Sequence, residues 1–327
     1  MKLFVYDCKS DLEREFYEKY AKEFGLEVTI TTEVPCIENV CLAEGHDYVN
    51  TMISPISKEM IEAWKNMGIK MISTRTIGYD HFDIAAAKNV GMHLGNSDYP
   101  PDAVAEFAIM LILMTCKNAR TMMKKVDNND YTITHTPSTN LSEKVVGIIG
   151  TGQIGAATAR KIKPMCKEIL MYDKFPNDEL LAYGTYTDIE TIFKTCDVIS
   201  LHVPIFPETK HIVNQERLAM MKSGAIIINT ARGDLIDTKS LIAALEEGRI
   251  AGAGLDVVEG ETGIVFHDFS LKGIRNHELS ILENMPNVVY MPHAAYYSST
   301  SIESMVKNSV RTLVLPKNAA ENKWFIV

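Results

Sequence analysis

Residues 145–162 read VVGIIGTGQIGAATARKI, and no other stretch limits the possible folds of this chain as much. An apolar run of strand length ends in three glycines spaced G-x-G-x-x-G (Gly150, Gly152, Gly155), and a helix-compatible segment follows at once. Such glycines allow a tight turn, the close approach of a pyrophosphate, and close helix packing. The helix start adds unsatisfied N–H groups and the positive end of its dipole for the phosphates. A second apolar run, EILMYD, ends at Asp173, 18 residues beyond Gly155. A carboxylate there would accept hydrogen bonds from an adenosine ribose diol and repel a 2′-phosphate, so the segment predicts a dinucleotide site that favours NAD over NADP.

The rest of the chain has the matching rhythm. LFVY, EVTITT, DYVNTMI and IKMISTR in the first hundred residues, then DVISLHV, AIIINTA, IAGAGLDV and NVVYMP, are short apolar runs, most of them separated by helix-length segments. Runs apolar on both faces, joined by crossovers, predict doubly wound parallel sheets. At 327 residues the chain exceeds what one core usually organises, so two domains are expected. We divide it into residues 1–100 with 299–327, and a dinucleotide domain at 101–298. Asp11 is expected to cap the first helix and Gly25 to follow its end. Between the halves, residues 100–126 read as one long, mostly apolar helix, buried all round and able to contribute to a dimer interface. The methionines of MMKKV and LAMM are expected to fill core space.

Composition excludes several functions. There are 33 basic and 42 acidic residues, a net charge of −9, with the signs interspersed, which offers nothing to a nucleic-acid backbone. The six cysteines form no CxxC pair and fit a reducing cytoplasm. No apolar run is long enough to span a bilayer, and the amino terminus lacks a signal-peptide core, so no membrane partner is expected. The histidines His46, His93, His135, His211, His267 and His277 show no metal-binding spacing, so no metal is expected.

A nicotinamide site needs a cation for the carbonyl or carboxylate of a substrate and an acid for the developing alkoxide. Arg232 and His293 stand where apolar runs end, at the edge where open α/β sheets bind ligands. Between them Asp256, Glu259 and Glu261 are candidates for the carboxylate that orients His293 and favours its protonated form; spacing does not choose among them. Asp102 reads as a helix-start acid, and His81 and His202 as structural.

Seven ordered stretches, STRTIGYDHFD (73–83), YPPDAVAEFA (99–108), GTGQIG (150–155), LHVP (201–204), NTARGDLIDT (229–238), GLDVVEGE (254–261) and MPNVVYMPHAAYYS (285–298), resemble the D-2-hydroxyacid dehydrogenases over nearly the whole chain. The insert after VVEGE and the HAAYY sequence are similar to the D-lactate dehydrogenase branch, including enzymes of vancomycin-resistance operons. The resemblance implies two doubly wound, Rossmann-like and flavodoxin-like domains with an active-site cleft between them, and hinges near residues 99–101 and 296–300. It implies that Arg232 binds the substrate carboxylate, His293 is the acid/base and Glu261 is its partner. Asp256 would meet the nicotinamide, Val203, Pro204, Thr209, Thr230 and Ala231 would line the cofactor, and Gln153 and Ile154 would lie beside the pyrophosphate. The Ile77–Gly78 backbone, Tyr99 and Tyr296 would hold the substrate. The activity implied is reduction of a small 2-oxo acid by NADH to the D-hydroxy acid, with pyruvate favoured, in a cytoplasmic homodimer. Hydroxyisocaproate, phenyllactate and 2-hydroxyglutarate dehydrogenases are alternatives. NAD-sensing corepressors share the fold and form a second class.

Overall fold

The structure, a computed structural model, describes residues 1–133, 137–316 and 319–327; His135 lies outside them. The chain divides into two compact units, Met1–Pro100 with Tyr297–Val327, and Pro101–Tyr296.

The first unit is built on five parallel strands, β1 (Lys2–Val5), β2 (Glu27–Ile30), β3 (Tyr48–Thr51), β4 (Met71–Thr74) and β5 (His93–Gly95), in the order β2-β1-β3-β4-β5. The LFVY run shows why the sheet is covered on both faces. Leu3 and Val5 pack with Tyr17, Tyr20, Val306 and Val310, while Phe4 and Tyr6 pack with Ile61 and Trp64 on the other side. Side chains alternate across a strand, so a run with no polar residue must bury both faces. The helix Ser299–Val314 returns from the far end of the sequence to complete one of these layers. Ser10, rather than Asp11, caps the first helix: its side chain accepts the Glu13 N–H, and Asp11 is the first helical residue. A serine in extended backbone reaches that N–H, and the acid one place later gains from the helix dipole. Gly25 follows the helix with φ +72°, the left-handed conformation that needs no Cβ.

The second unit carries seven parallel strands, β6 (Val145–Ile149), β7 (Glu168–Tyr172), β8 (Thr185–Tyr186), β9 (Val198–Leu201), β10 (Ile226–Asn229), β11 (Gly252–Leu255) and β12 (Val288–Tyr290). Their order is β12-β11-β10-β9-β6-β7-β8. Strand order reverses between β9 and β6, so a crevice opens at their carboxyl ends, which is where such sheets take ligands.

The single helix expected over 100–126 is two, Asp102–Cys116 and Ala119–Asp127. Asn118 breaks it at φ +52°. Asparagine is among the few non-glycine residues that tolerate this left-handed conformation, and one such residue ends a helix. Only the first piece is buried, through Val104, Ala108, Leu111 and Ile112. Met122 and Met123 lie on the second and are exposed rather than core-filling, and Met220 is also on the surface while Met221 is buried.

Candidate active site

The three motif glycines meet three different demands. A Cβ on Gly155 would sit 1.9 Å from the Gly150 carbonyl oxygen, so helix and turn could not approach with any other residue. Gly150 has φ +94°, and a Cβ there would strike the His202 backbone at 2.6 Å. A Cβ on Gly152 would meet nothing within 4 Å: the open space lies directly at the start of the helix Gln153–Ile162, where no side chain caps the backbone N–H groups. An uncapped helix start facing an open cradle fits a phosphate group.

Asp173, immediately after β7, is locked to this turn. Its Oδ2 accepts the Thr151 N–H at 2.6 Å and the Thr151 hydroxyl at 3.2 Å, and its Oδ1 accepts the Phe175 N–H at 2.8 Å. Tyr186 donates to the Thr151 hydroxyl at 2.8 Å, so the tip of β8 helps to fix the turn. Asp173 stays half-exposed at the β7 edge of the loop.

At the ends of β9 and β10 the expected cofactor-lining residues differ in what they offer. Thr230 has a buried hydroxyl with no hydrogen-bond partner among the described residues, the kind of orphan group that a bound molecule satisfies. Val203 and Ala231 pack against the core, and Pro204 is exposed. The Thr209 hydroxyl, by contrast, donates to the Pro204 carbonyl and accepts the Phe206 N–H, both at 2.7 Å, so it closes its own loop. His202, at the end of β9, bonds Ser200 through Nε2 at 2.9 Å, and burial lowers its pKa to about 4, which keeps it neutral.

The reacting end is assembled by β10, β11 and β12, whose exits are hydrogen-bonded in series. The Asp256 N–H donates to the Asn229 carbonyl and the His293 N–H to the Asp256 carbonyl, so Arg232, Asp256 and His293 leave adjacent strand ends. Asn229 shapes the first exit: its side chain accepts the Ala231 N–H and donates to the Arg232 carbonyl. Gly233 brings this exit against the next one. A Cβ there would fall 2.1 Å from the Val258 carbonyl carbon and 2.3 Å from its oxygen, so only glycine lets the Arg232 segment touch the loop that carries Glu259 and Glu261. Arg232 Nη1 donates to the Ala231 carbonyl at 2.8 Å.

The three acids that spacing left equivalent do three different things. Glu261 Oε1 lies 2.7 Å from His293 Nδ1, and its Oε2 accepts the Val258 N–H at 2.8 Å. Glu259 bonds His211 Nε2 at 2.9 Å. Asp256 is fully buried and uses both oxygens, each at 2.8 Å, on the N–H groups of Ala294 and Ala295, which fixes the backbone beside His293. Burial raises its carboxyl above the usual carboxylate range, and those two bonds oppose the rise. His293 itself has φ +56°. Tyr296 and Phe266 lie near its ring, with centroids 6.5 and 6.0 Å away and ring planes inclined to it by 76° and 43°.

The remaining expected residues belong to the first unit. Buried Arg75 ties the end of β4 to the Tyr6 and Asp7 carbonyls, to Asn50 and to Glu13. The turn that follows is closed by Thr76 donating to the Gly78 carbonyl and Asn96 to the Ile77 carbonyl, with Ile77 exposed. Tyr99 is half-buried one residue before Pro100. A surface depression of about 880 Å³ lined by Leu245, His277, Ile281, Met285 and Asn287 lies at the opposite, amino end of β12 and includes none of these groups. Phe266, the pairing of Glu259 with His211 and the role of Asn229 are not apparent from the sequence. Asparagine before a strand-exit turn was the one available signal.

Comparison with known proteins shows the family of the chain. A family model described as D-isomer specific 2-hydroxyacid dehydrogenase, NAD binding domain, matches residues 109–295. A D-specific alpha-keto acid dehydrogenase of Enterococcus faecium is 35% identical over 314 residues, covering 94% of either chain. Among solved structures, a D-lactate dehydrogenase of Treponema pallidum superposes with a TM-score of 0.88 at 31% identity, over the full length of both chains. An NAD-complexed D-isomer specific 2-hydroxyacid dehydrogenase of Lactobacillus delbrueckii ssp. bulgaricus gives 0.85 at 30% identity, again over both full lengths.

Proposed function

The chain belongs to the D-isomer specific 2-hydroxyacid dehydrogenases and is an NAD-dependent oxidoreductase, and from that premise we propose that it reduces a small 2-oxo acid, pyruvate first, to the D-hydroxy acid. The observation that carries this reading is the 2.7 Å bond between His293 Nδ1 and Glu261 Oε1 on strand exits that Gly233 holds against Arg232.

The Gly150–Gly155 turn, the start of the Gln153–Ile162 helix and Asp173 would hold the phosphates and the adenosine ribose, and Thr230 offers its unpartnered hydroxyl near the strand ends. When bound, NADH supplies the hydride for C2 of the oxo acid. The protein supplies charge and a proton. Arg232 binds the substrate carboxylate with its forked guanidinium and draws electron density from the adjacent carbonyl. With Nδ1 directed to Glu261, His293 has Nε2 left to give a proton to the carbonyl oxygen, and the carboxylate compensates the imidazolium charge. Asp256 fixes the backbone that follows His293 through the N–H groups of Ala294 and Ala295.

The same reading makes the enzyme a cytoplasmic homodimer. Six free cysteines support a reducing compartment, and no helix among the described residues is long and apolar enough to cross a membrane. Sedimentation equilibrium giving a monomer mass would remove the dimer. The activity is tested by NADH consumption with a panel of 2-oxo acids and chiral analysis of the product; an L product or no turnover would overturn it.

A further inference from the structure

Three strand exits of the second unit are laced together by backbone bonds and closed by one pair of side chains. After β9 the chain reaches His211, whose N–H donates to the Asp234 carbonyl at 2.9 Å. Two residues on, the Val213 N–H donates to the Leu235 carbonyl at 3.0 Å and the Val213 carbonyl accepts the Asp237 N–H at 2.9 Å, so the segment after Arg232 is zipped to the β9 exit. The same segment touches the loop after β11, where a Cβ on Gly233 would fall 2.5 Å from the Glu259 nitrogen. Because β10 lies between β9 and β11, these two outer exits are not neighbours. His211 Nε2 nevertheless bonds Glu259 Oε1 at 2.9 Å and joins them directly.

Exposure and backbone set this pair apart from an ordinary surface ion pair. The two side chains are 36% and 32% exposed, too open for the bond to add much to global stability. His211 still holds φ +50°, a left-handed conformation that costs energy in a residue with a side chain and that is found most often at functional sites. The neighbouring charges are engaged elsewhere: Lys210 pairs with Asp234 at 3.5 Å, and Asp237 accepts the Ser240 hydroxyl at 2.6 Å. What the pair fastens is the loop of the reacting carboxylate. Glu259 follows Val258, whose N–H holds Glu261 Oε2 at 2.8 Å, while Glu261 Oε1 holds His293 Nδ1. On the far side of Glu259 the Gly260 carbonyl accepts the Asn276 side chain at 3.2 Å.

We propose that His211 and Glu259 are positioning residues for the reduction: their bond clamps the loop that presents Glu261 to His293, and acts on proton transfer through Glu261 rather than by contact with the substrate. This rests on His293 being the proton carrier of the proposed reduction. If the loop drifts, the 2.7 Å bond between Glu261 and His293 lengthens and the ring loses its aim at the carbonyl oxygen. The cofactor phosphates at the glycine turn and the substrate carboxylate on Arg232 keep their partners, so the loss falls on kcat rather than on KM.

The test measures kcat, KM for the most active 2-oxo acid, NADH affinity and melting temperature in His211→Asn, Glu259→Ala, the double variant and Glu259→Gln. Asparagine tolerates the left-handed backbone and is too short to reach Glu259. Glutamine keeps an acceptor for His211 Nε2 without the charge. The expected result is a fall in kcat of about tenfold in His211→Asn and in Glu259→Ala, with KM and NADH affinity within about twofold of wild type. The double variant should lose no more than either single one, because both remove the same bond, and Glu259→Gln should recover most of the rate. Melting temperatures should stay within about 3 °C of wild type. A second cycle shows action through Glu261: in a Glu261→Gln background, Glu259→Ala should lower kcat by less than about twofold. Wild-type kcat in both single variants, multiplied losses in the double variant, or a full loss in the Glu261→Gln background would overturn the clamp alone. A wild type that reduces no 2-oxo acid would overturn the reduction itself and the clamp with it.

Discussion

Glu261 holds His293 Nδ1 at 2.7 Å with one carboxylate oxygen while the Val258 N–H holds the other at 2.8 Å. Both carboxylate oxygens are thereby fixed, and the proposed role of the acid uses its charge rather than its shape. Glu261→Gln preserves the shape and an acceptor for Val258 but removes the charge. Its kcat should fall by roughly 10- to 100-fold with KM changed much less. A variant with unaltered kcat would mean that the charge plays no part.

The glycines separate folding from binding. Gly152→Ala places a methyl group in open space at φ −62°, so thermal stability should stay close to wild type while NADH binding weakens by about tenfold or more. Gly233→Ala places it 2.1 Å from the Val258 backbone and should lower both the melting temperature and kcat. Calorimetry with fluorescence titration of NADH reads both; a Gly152→Ala variant with full NADH affinity would contradict the cradle.

Asp173 faces the same turn from β7, where its carboxylate would repel a 2′-phosphate. Asp173→Ala should reduce the preference for NADH over NADPH by about tenfold or more, measured as the ratio of kcat/KM values. An unchanged ratio would show that Asp173 does not read the ribose.

Acid should weaken the second unit through His202. Its pKa is lowered to about 4 by burial, against about 6.5 for an exposed histidine, so the unfolded chain binds the extra proton in that window. The stabilisation is fully present above about pH 6.5 and is lost as the pH falls toward 4. Urea midpoints should therefore drop across this window, and His202→Gln should flatten the drop. Equal slopes for the two proteins would exclude His202 as the source.

How much was legible in the sequence depends on how local the cause is. The parallel sheets follow from runs such as LFVY and AIIIN, because a strand apolar on both sides has one stable environment. The phosphate turn is a local motif as well. The division of labour among Asp256, Glu259 and Glu261 is different, because it depends on which strand exits lie side by side and on Gly233 touching Val258, contacts between residues far apart in sequence. The break at Asn118 was missed because asparagine is compatible with helix and left-handed turn alike, and apolar periodicity continues across it. Phe266 was invisible for a similar reason: nothing at the level of spacing distinguishes a ring aimed at His293 from its neighbours in an irregular insert.

In the proposed reduction of a 2-oxo acid, His293, held by Glu261, passes the proton. The direct measurement is the loss of NADH absorbance with pyruvate and larger 2-oxo acids for wild type, His293→Gln and Arg232→Ala, with NADH binding checked in each. Expected are turnover to the D-hydroxy acid by wild type, a fall in kcat of about 100- to 10,000-fold for His293→Gln with NADH still bound, and a loss in Arg232→Ala dominated by KM. Wild-type rates retained by His293→Gln, or no turnover of any 2-oxo acid by the intact protein, would contradict it.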